Sequence, residues 1–300
     1  MKFTGLSAFP LTPLTATGID ERAFESIIGR LASAGVDSIG ALGSTGSYAY
    51  LDRSERARAA SLAVQCAGGV PVIVGVGALG TREVLRNVED AQSAGADAVL
   101  LAPMTYQPLS EDEVFGLYED VSANLSVPLV VYDNPGTTRV NFSDELHGRI
   151  AQLKGVASIK IPPVSANPAE AAERVAALRA LVPGHVTIGV SGDGAAANGL
   201  LAGCDAWYSV MAGILPEHCL AIMRAGTSGD VEKARSLSTA MEPLWAQMAR
   251  YGSFRVASAV AEDLGLVKPG NLPLPVRSLD ADGRLAVRSA LNEIGITTLA

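Results

Sequence analysis

Five lysines occur in this chain of 300 residues, and Lys160 is the one whose surroundings differ from those of the others. It lies inside an apolar run, Val156–Ile161, that has the composition of a β-strand. Strand alternation places Ser158 and Lys160 on one face, towards the interior of a closed sheet. A buried lysine loses its proton readily, and the neutral amine attacks a carbonyl carbon to form a Schiff base. Lys160 is therefore a candidate nucleophile. A solvated edge strand and a buried salt bridge are the structural alternatives.

Two further groups suit such chemistry. Tyr132 closes the preceding apolar run, Leu129–Tyr132, where its phenol could relay protons to a lysine of the next strand or complete a core layer. Another run is followed by Gly43–Ser47, in which glycines enclose the hydroxyls of Ser44 and Thr45. Backbone N–H and hydroxyl groups in such a turn bind a carboxylate or a phosphate. Turns of this composition are also common without any ligand.

The elements that must position these groups form a repeating pattern in the first two hundred residues. We predict eight strands, at Leu6–Phe9, Ser38–Leu42, Val72–Val74, Ala98–Leu101, Leu129–Tyr132, Val156–Ile161, Val186–Val190 and Ala206–Val210. Amphipathic stretches of helical periodicity separate them, as in Asp20–Ala34, Ser110–Asn124 and Pro168–Leu181. Eight parallel strands is the number that closes a (β/α)8 TIM barrel. An open, doubly wound sheet is the structural alternative.

The domain organisation follows from where this alternation stops. We expect residues 1–215 to form the barrel that carries the active site, and residues 216–300 to form a C-terminal helical extension packed on it. Four helices are predicted there, at Glu217–Ala225, Asp230–Arg250, Ser253–Leu264 and Asp282–Ile294. Within the barrel, an Ala-Gly-x-Asp pattern recurs at residues 34–37, 94–97 and 202–205, where glycine can cap a helix end.

Composition and motifs exclude several other functions. The net charge of -8, without a basic cluster, argues against nucleic-acid binding. The uncharged stretch Ala59–Thr81 is interrupted by Gly68–Pro71, so we expect no membrane span, and the N-terminus does not resemble a signal peptide. Three cysteines without a CxxC pair favour reduced thiols and a cytoplasmic location. The three histidines are too scattered for a zinc site, so no metal is expected. Gly75–Gly80 matches GxGxxG, but the next strand lacks the acid of a dinucleotide site.

Four segments together resemble the dihydrodipicolinate synthase / N-acetylneuraminate lyase family of class I, pyruvate-handling aldolases. Gly43–Gly46 is similar to the carboxylate-binding loop of that family, Val131–Pro135 to its tyrosine motif, Ser158–Lys160 to its Schiff-base segment and Ser191–Asp193 to its seventh-strand loop. The segments occur in the family's order, and the resemblance covers essentially the whole chain.

The resemblance implies a pyruvate-dependent aldolase or lyase, which condenses pyruvate with an aldehyde or cleaves or dehydrates a 2-keto acid. Lys160 would form the imine with pyruvate, without any other cofactor, and Tyr132 would shuttle protons. The Thr45 hydroxyl would link Tyr132 to solvent or to a tyrosine from a neighbouring subunit. Substrate binding would involve Ser44, Gly46, Ser47, Thr137, Tyr208 and Gly192. The resemblance also implies a homo-oligomer, expected to be a tetramer, with Tyr106 as the candidate intersubunit tyrosine.

Departures from the family pattern concern the second substrate. Ser47 stands where the family usually has an acid, and Ile161 follows the lysine where many members carry one. Thr137 occupies the position of the arginine that binds the aldehyde's carboxylate in dihydrodipicolinate synthases, while Arg139 lies two residues further on. The sequence therefore predicts the pyruvate half of the reaction and leaves the aldehyde open. A true 4-hydroxy-tetrahydrodipicolinate synthase is one alternative, and a non-catalytic keto-acid-binding barrel is another.

Overall fold

A closed barrel of parallel strands forms the centre of the computed structural model, which describes residues 2–298. The strands are β1 (Gly5–Ala8), β2 (Leu14–Thr15), β3 (Gly18–Ile19), β4 (Ser38–Ala41), β5 (Val72–Gly75), β6 (Ala98–Leu101), β7 (Leu129–Tyr132), β8 (Val156–Ile161), β9 (Thr187–Ser191) and β10 (Ala206–Ser209). The barrel runs in the order β1-β10-β9-β8-β7-β6-β5-β4 and closes between β4 and β1. The short antiparallel pair of β2 and β3 was not predicted. The prediction of a (β/α)8 barrel is confirmed, which excludes the open sheet.

Helices cover the outside of the barrel and continue beyond it. They are α1 (Glu21–Ala34), α2 (Arg53–Cys66), α3 (Thr81–Ser93), α4 (Glu111–Ala123), α5 (Pro135–Thr138), α6 (Asp144–Ala151), α7 (Pro168–Leu181), α8 (Ala196–Leu201), α9 (Pro216–Thr227), α10 (Val231–Ala240), α11 (Glu242–Tyr251), α12 (Ser253–Asp263) and α13 (Ala281–Glu293). The prediction of a single helix at Asp230–Arg250 is wrong, because the helix is interrupted at Met241. Pro243 lacks the N–H that an uninterrupted helix needs there, so α11 restarts with this proline in its first turn.

The Ala-Gly-x-Asp repeats fix the amino ends of the strands. Each glycine has a positive φ, of 74° at Gly35, 86° at Gly95 and 98° at Gly203, where a side chain would be strained. The aspartate two residues later accepts a hydrogen bond from the N–H of a neighbouring strand. The pairs are Leu6 to Asp37 at 2.7 Å, Val72 to Asp97 at 2.8 Å and Ile188 to Asp205 at 2.8 Å. These contacts hold the strand register at the end of the barrel opposite the candidate site.

The helices after β10 divide into two groups. Helix α9 packs against α8 and β1 and is the eighth helix of the barrel, whereas α11, α12 and α13 pack on one another. The division at residues 1–215 and 216–300 stays a prediction, and we propose that the barrel unit extends through α9. Over residues 2–298, none of the helices is both long and apolar enough to cross a membrane.

Candidate active site

Lys160 lies inside the barrel with 4% of its surface exposed. Its Nζ is 3.7 Å from the centroid of the Phe9 ring and 4.3 Å from that of the Tyr132 ring. None of the ion pairs in the described part of the chain includes Lys160. Burial lowers the pKa of the amine, although Tyr132 and Asp193 nearby favour its charged form. Neither a solvated edge strand nor a buried salt bridge therefore explains this lysine.

Phe9, which sequence reasoning missed, packs against the amine because two glycines make room for its ring. A Cβ atom at Gly40 would lie 2.4 Å from the Phe9 ring, and a Cβ at Gly43 would lie 2.5 Å from it. The ring also meets Tyr208 edge-on, with centroids 5.8 Å apart. Gly40 lies inside β4, and a glycine inside a strand often marks the close approach of another group. This pattern in the sequence could have predicted the contact.

The phenol of Tyr132 is held in place from two sides. Tyr132 lies opposite Lys160 in the register of β7 and β8. Its Oη accepts a hydrogen bond from Asn134 Nδ2 at 2.8 Å and lies 3.2 Å from Ser44 Oγ. The hydroxyl in contact with Tyr132 is thus that of Ser44, which takes the position we predicted for Thr45. Sequence reasoning did not single out Asn134, although it lies within the tyrosine motif.

A cavity of about 310 Å³ lies at the carboxyl ends of the strands and adjoins Tyr132 through Ser44, although neither Lys160 nor Tyr132 is among the residues that line it. Hydroxyl groups dominate its walls, and Arg139 is the one charged side chain among the residues that line it. The lining residues are Ser44, Thr45, Tyr48, Ala49, Tyr50, Met104, Thr105, Thr137, Thr138, Arg139, Ser253 and Phe254. The last two begin α12, so the C-terminal region contributes to the site, a contribution that nothing in the sequence signalled. A groove of about 880 Å³ among α9, α10, α11 and α13 is larger, but none of the predicted site residues lines it.

Backbone strain concentrates around this cavity. Leu42, Ser47 and Arg139 have φ values of 56°, 61° and 63°, and within residues 2–298 no other non-glycine residue has a positive φ. Each costs about 1–3 kcal/mol, and such residues cluster at binding and catalytic sites. Leu42 and Ser47 flank the predicted carboxylate-binding loop, and Arg139 ends the short helix α5 on the cavity wall.

Other predicted site residues lie near the cluster without touching the cavity. The hydroxyl of Tyr208 is 2.6 Å from Ser158 Oγ, and burial raises the pKa of this phenol. The Lys160 Nζ is 5.6 Å from the Tyr208 ring centroid. Gly46 packs its backbone against Leu42, and Gly192 has a φ of 80° before the 3₁₀ turn at 193–195. Their substrate-binding roles stay predictions.

Two more predicted residues are placed away from the cavity walls. Ser47 is buried beneath its loop, where its N–H donates to the Ser44 carbonyl at 3.3 Å. Tyr106 is 88% exposed, whereas the preceding Met104 and Thr105 line the cavity. Its expected contact with a neighbouring subunit therefore stays a prediction.

Asp193 is a buried residue near Lys160, and the sequence pointed to it only through the segment Ser191–Asp193. Its carboxyl accepts hydrogen bonds from Trp207 Nε1 at 3.1 Å and from the Met211 N–H at 2.8 Å. Burial raises the pKa of this carboxyl, while these hydrogen bonds and Lys160 oppose the rise. Asp193 therefore joins β10 to the turn after β9 and interacts electrostatically with Lys160.

Comparison with known proteins identifies the family. Residues 2–294 match the model of the Dihydrodipicolinate synthetase family. The chain belongs to this family. It is 31% identical over 291 residues to 4-hydroxy-tetrahydrodipicolinate synthase of Hyphomonas neptunium, with 96% of this chain and 97% of the relative covered.

Solved structures of the same family have the same architecture. The chain is similar to dihydrodipicolinate synthase from Agrobacterium tumefaciens, with a TM-score of 0.94, 42% identity and 98% of each chain covered. It is also similar to the chloride-inhibited dihydrodipicolinate synthase of Acinetobacter baumannii complexed with pyruvate, with a TM-score of 0.88, 26% identity and 98% and 99% of the two chains covered. Members of this family are class I aldolases or lyases that work through a Schiff base between pyruvate and a lysine. Our predictions of family, fold and enzyme class are confirmed, and the non-catalytic barrel loses its support.

Proposed function

We propose that this protein forms a Schiff base between Lys160 and pyruvate, or a related 2-keto acid, and uses the resulting enamine in aldol chemistry. The observation that carries the proposal is the buried Lys160 amine, which has aromatic neighbours and no ion-pair partner within residues 2–298. The pyruvate complex of the Acinetobacter baumannii relative supports this choice of substrate.

The reaction uses three features of the site. Lys160 Nζ attacks the ketone carbon of pyruvate, and loss of water leaves an imine that withdraws electrons from the methyl carbon. Because Asn134 donates to Tyr132 Oη, the phenol's own proton is free to point towards Ser44 or the substrate. Tyr132 then moves the protons that imine and enamine formation require. The N–H groups of Ser44 and Thr45 hold the pyruvate carboxylate.

The cavity beside the cluster selects the second substrate. Its hydroxyl-rich walls and the guanidinium of Arg139 favour a small hydroxylated aldehyde that carries a carboxylate. The same cavity accepts the product in the reverse direction, when a 2-keto acid is cleaved or dehydrated. Aspartate semialdehyde is the second candidate, because the Hyphomonas neptunium relative is named 4-hydroxy-tetrahydrodipicolinate synthase.

Borohydride trapping tests the proposal. In the presence of pyruvate, reduction should add one reduced pyruvate per chain, on the peptide that contains Lys160. Lys160→Met should abolish the label, whereas the matched control Lys233→Met, in helix α10 outside the barrel strands, should retain it. A label on another lysine, or none at saturating pyruvate, would contradict the proposal.

We also propose that the enzyme acts in the cytoplasm as a homo-oligomer, a tetramer by family resemblance. Cys66, Cys204 and Cys219 are free thiols, as a reducing compartment favours. The exposed ring of Tyr106 follows two cavity residues, so a neighbouring copy could receive it close to its own site.

A further inference from the structure

Two titratable side chains that the proposed reaction does not use meet directly behind Tyr132. Asp133 follows Tyr132 in the chain, and His147 lies in α6. Their side chains are 5% and 0% exposed, and His147 Nε2 is 3.2 Å from Asp133 Oδ2. The ring of Phe142 stacks on the imidazole, with centroids 5.1 Å apart. The contact of His147 with Asp133 is a close approach of the two groups, because among the residues that the structure describes neither nitrogen of His147 nor Asp133 Oδ1 makes a hydrogen bond.

Asp133 lies in the chain between Tyr132, which carries the phenol, and Asn134, which donates a hydrogen bond to that phenol. Its own N–H donates to the carbonyl of Lys160 at 3.0 Å, which ties the end of β7 to β8. Tyr132 on one side carries the phenol, and Asn134 on the other side donates to that phenol at 2.8 Å. A change in the backbone at Asp133 therefore moves the phenol and its hydrogen-bond donor relative to each other.

A buried Asp–His pair is less favourable for folding than apolar side chains in the same space. Desolvation of two polar groups opposes folding, and apolar side chains of similar volume would pack there at lower cost. The pair does, however, restrain direction, because the carboxyl must face the imidazole of α6. It thereby orients the turn that begins at Asp133, in a way that an apolar contact would not.

We propose that the Asp133–His147 pair is a positioning device that holds Asn134 on the phenol of Tyr132 for proton transfer. The inference rests on the proposed role of Tyr132. Both members act through the turn after β7 and not by touching substrate. Loss of either member should slow proton transfer, while pyruvate binding and the amount of imine at saturation remain nearly the same.

The test measures exchange of pyruvate methyl protons with deuterium oxide by NMR, which needs no aldehyde. Asp133→Asn and His147→Leu should each lower the maximal exchange rate about tenfold, as expected if the hydrogen bond from Asn134 to the Tyr132 phenol is lost. The pyruvate concentration at half-maximal rate and the borohydride label at saturation should change less than about twofold. His147→Gln, whose amide nitrogen can donate to the same carboxyl, should recover most of the rate. The double variant Asp133→Asn/His147→Leu should be no slower than either single variant.

Asp263→Asn is the matched control, because Asp263 is a buried carboxyl in α12 that pairs with Arg288 at 2.9 Å, outside the site. It should lower the melting temperature without changing the exchange rate. Exchange at the wild-type rate in folded Asp133→Asn, or equal slowing in the Gln and Leu variants of His147, would overturn the inference. If His147→Leu does not fold, the isosteric Asp133→Asn alone decides. A wild-type protein that neither exchanges nor traps pyruvate would instead overturn the proposed function, and the inference with it.

Discussion

Buried charged side chains have ion-pair partners among the C-terminal helices, whereas the buried lysine at the centre of the barrel has none within residues 2–298. Glu262 and Asp263 of α12 have side chains that are 3% exposed, and they pair with Arg284 and Arg288 of α13. Lys160 is similarly buried, yet within residues 2–298 it takes part in no ion pair. A carboxylate with a guanidinium partner keeps its charge and joins two helices, whereas a cation without a partner is driven towards the neutral form. We expect this difference to separate charges that stabilise the fold from the one that we propose to react.

The largest expected effect comes from removing the unpaired cation. Lys160→Met should reduce turnover to background, because no imine can form. The free energy of unfolding should nevertheless rise at neutral pH, since folding no longer has to bury an amine that is charged in the unfolded chain. The native pKa of Lys160 is lowered, so this gain should disappear as the pH approaches the ordinary value of 10.5. Turnover assays and urea denaturation measure the two quantities.

The paired carboxylates should show the reverse behaviour. Asp263→Asn should lower the free energy of unfolding by about 1–3 kcal/mol, because it weakens a buried hydrogen-bonded pair whose arginine is half exposed. Turnover should stay within about twofold of wild type. If Lys160→Met were destabilising, or if Asp263→Asn were inactive, the contrast between the two regions would be wrong.

A second cation, Arg139, sharpens the comparison at the mouth of the site. It lines the cavity, and no described carboxylate pairs with it, so it is available to a substrate carboxylate. Thr137→Arg should raise kcat/KM for aspartate semialdehyde about 10- to 150-fold by adding a bidentate contact. Borohydride trapping of pyruvate should not change. Efficient native turnover of aspartate semialdehyde that collapses in Arg139→Ala would show that Arg139 already binds this carboxylate.

The pH dependence of imine formation tests the electrostatic half of the comparison. The neutral amine is the nucleophile, so the rate should fall about tenfold per pH unit below the pKa of Lys160 and level off above it. Because burial lowers that pKa, the plateau should begin below the ordinary value of 10.5. The trapping rate can be followed against pH beside that of a lysine in a short peptide. If the rate for Lys160 levelled off only at the pH where the peptide's rate levels off, the amine would not be desolvated and unpaired as described.

The sequence predicted the barrel closely because each level of local structure agreed with the next. Short apolar runs set the strands to within about two residues, and α4 lies within the predicted stretch Ser110–Asn124, where a capping box of Ser110 and Glu113 begins it. The error at Met241 was avoidable, since a proline inside a predicted helix is a known interruption. The positions of the helices followed from periodicity alone, whereas the interruption between α10 and α11 depended on the single residue Pro243.

Within the site, the sequence located the groups at strand ends but not the contacts between distant elements. Lys160 and Tyr132 followed from strand composition and topology. Phe9 packs against Lys160 and Phe254 lines the cavity, and they come from opposite ends of the chain, so only the closed structure brings them to the site. The pairing of Asp133 with His147 depends on the angle at which α6 packs, and no local pattern encodes that angle.

The close fit of Phe9 against Gly40 and Gly43 has a consequence for redesigning the enzyme. The space beside the amine is shared among these three positions, so an added methyl group at either glycine collides with the ring. A library that varies the glycines alone therefore returns mostly misfolded proteins. Substituting a smaller residue for Phe9 first frees volume next to the imine, where a longer 2-keto acid donor can be accommodated while the aldehyde cavity stays as it is. We therefore expect changes at Phe9 to alter donor selectivity more than acceptor selectivity.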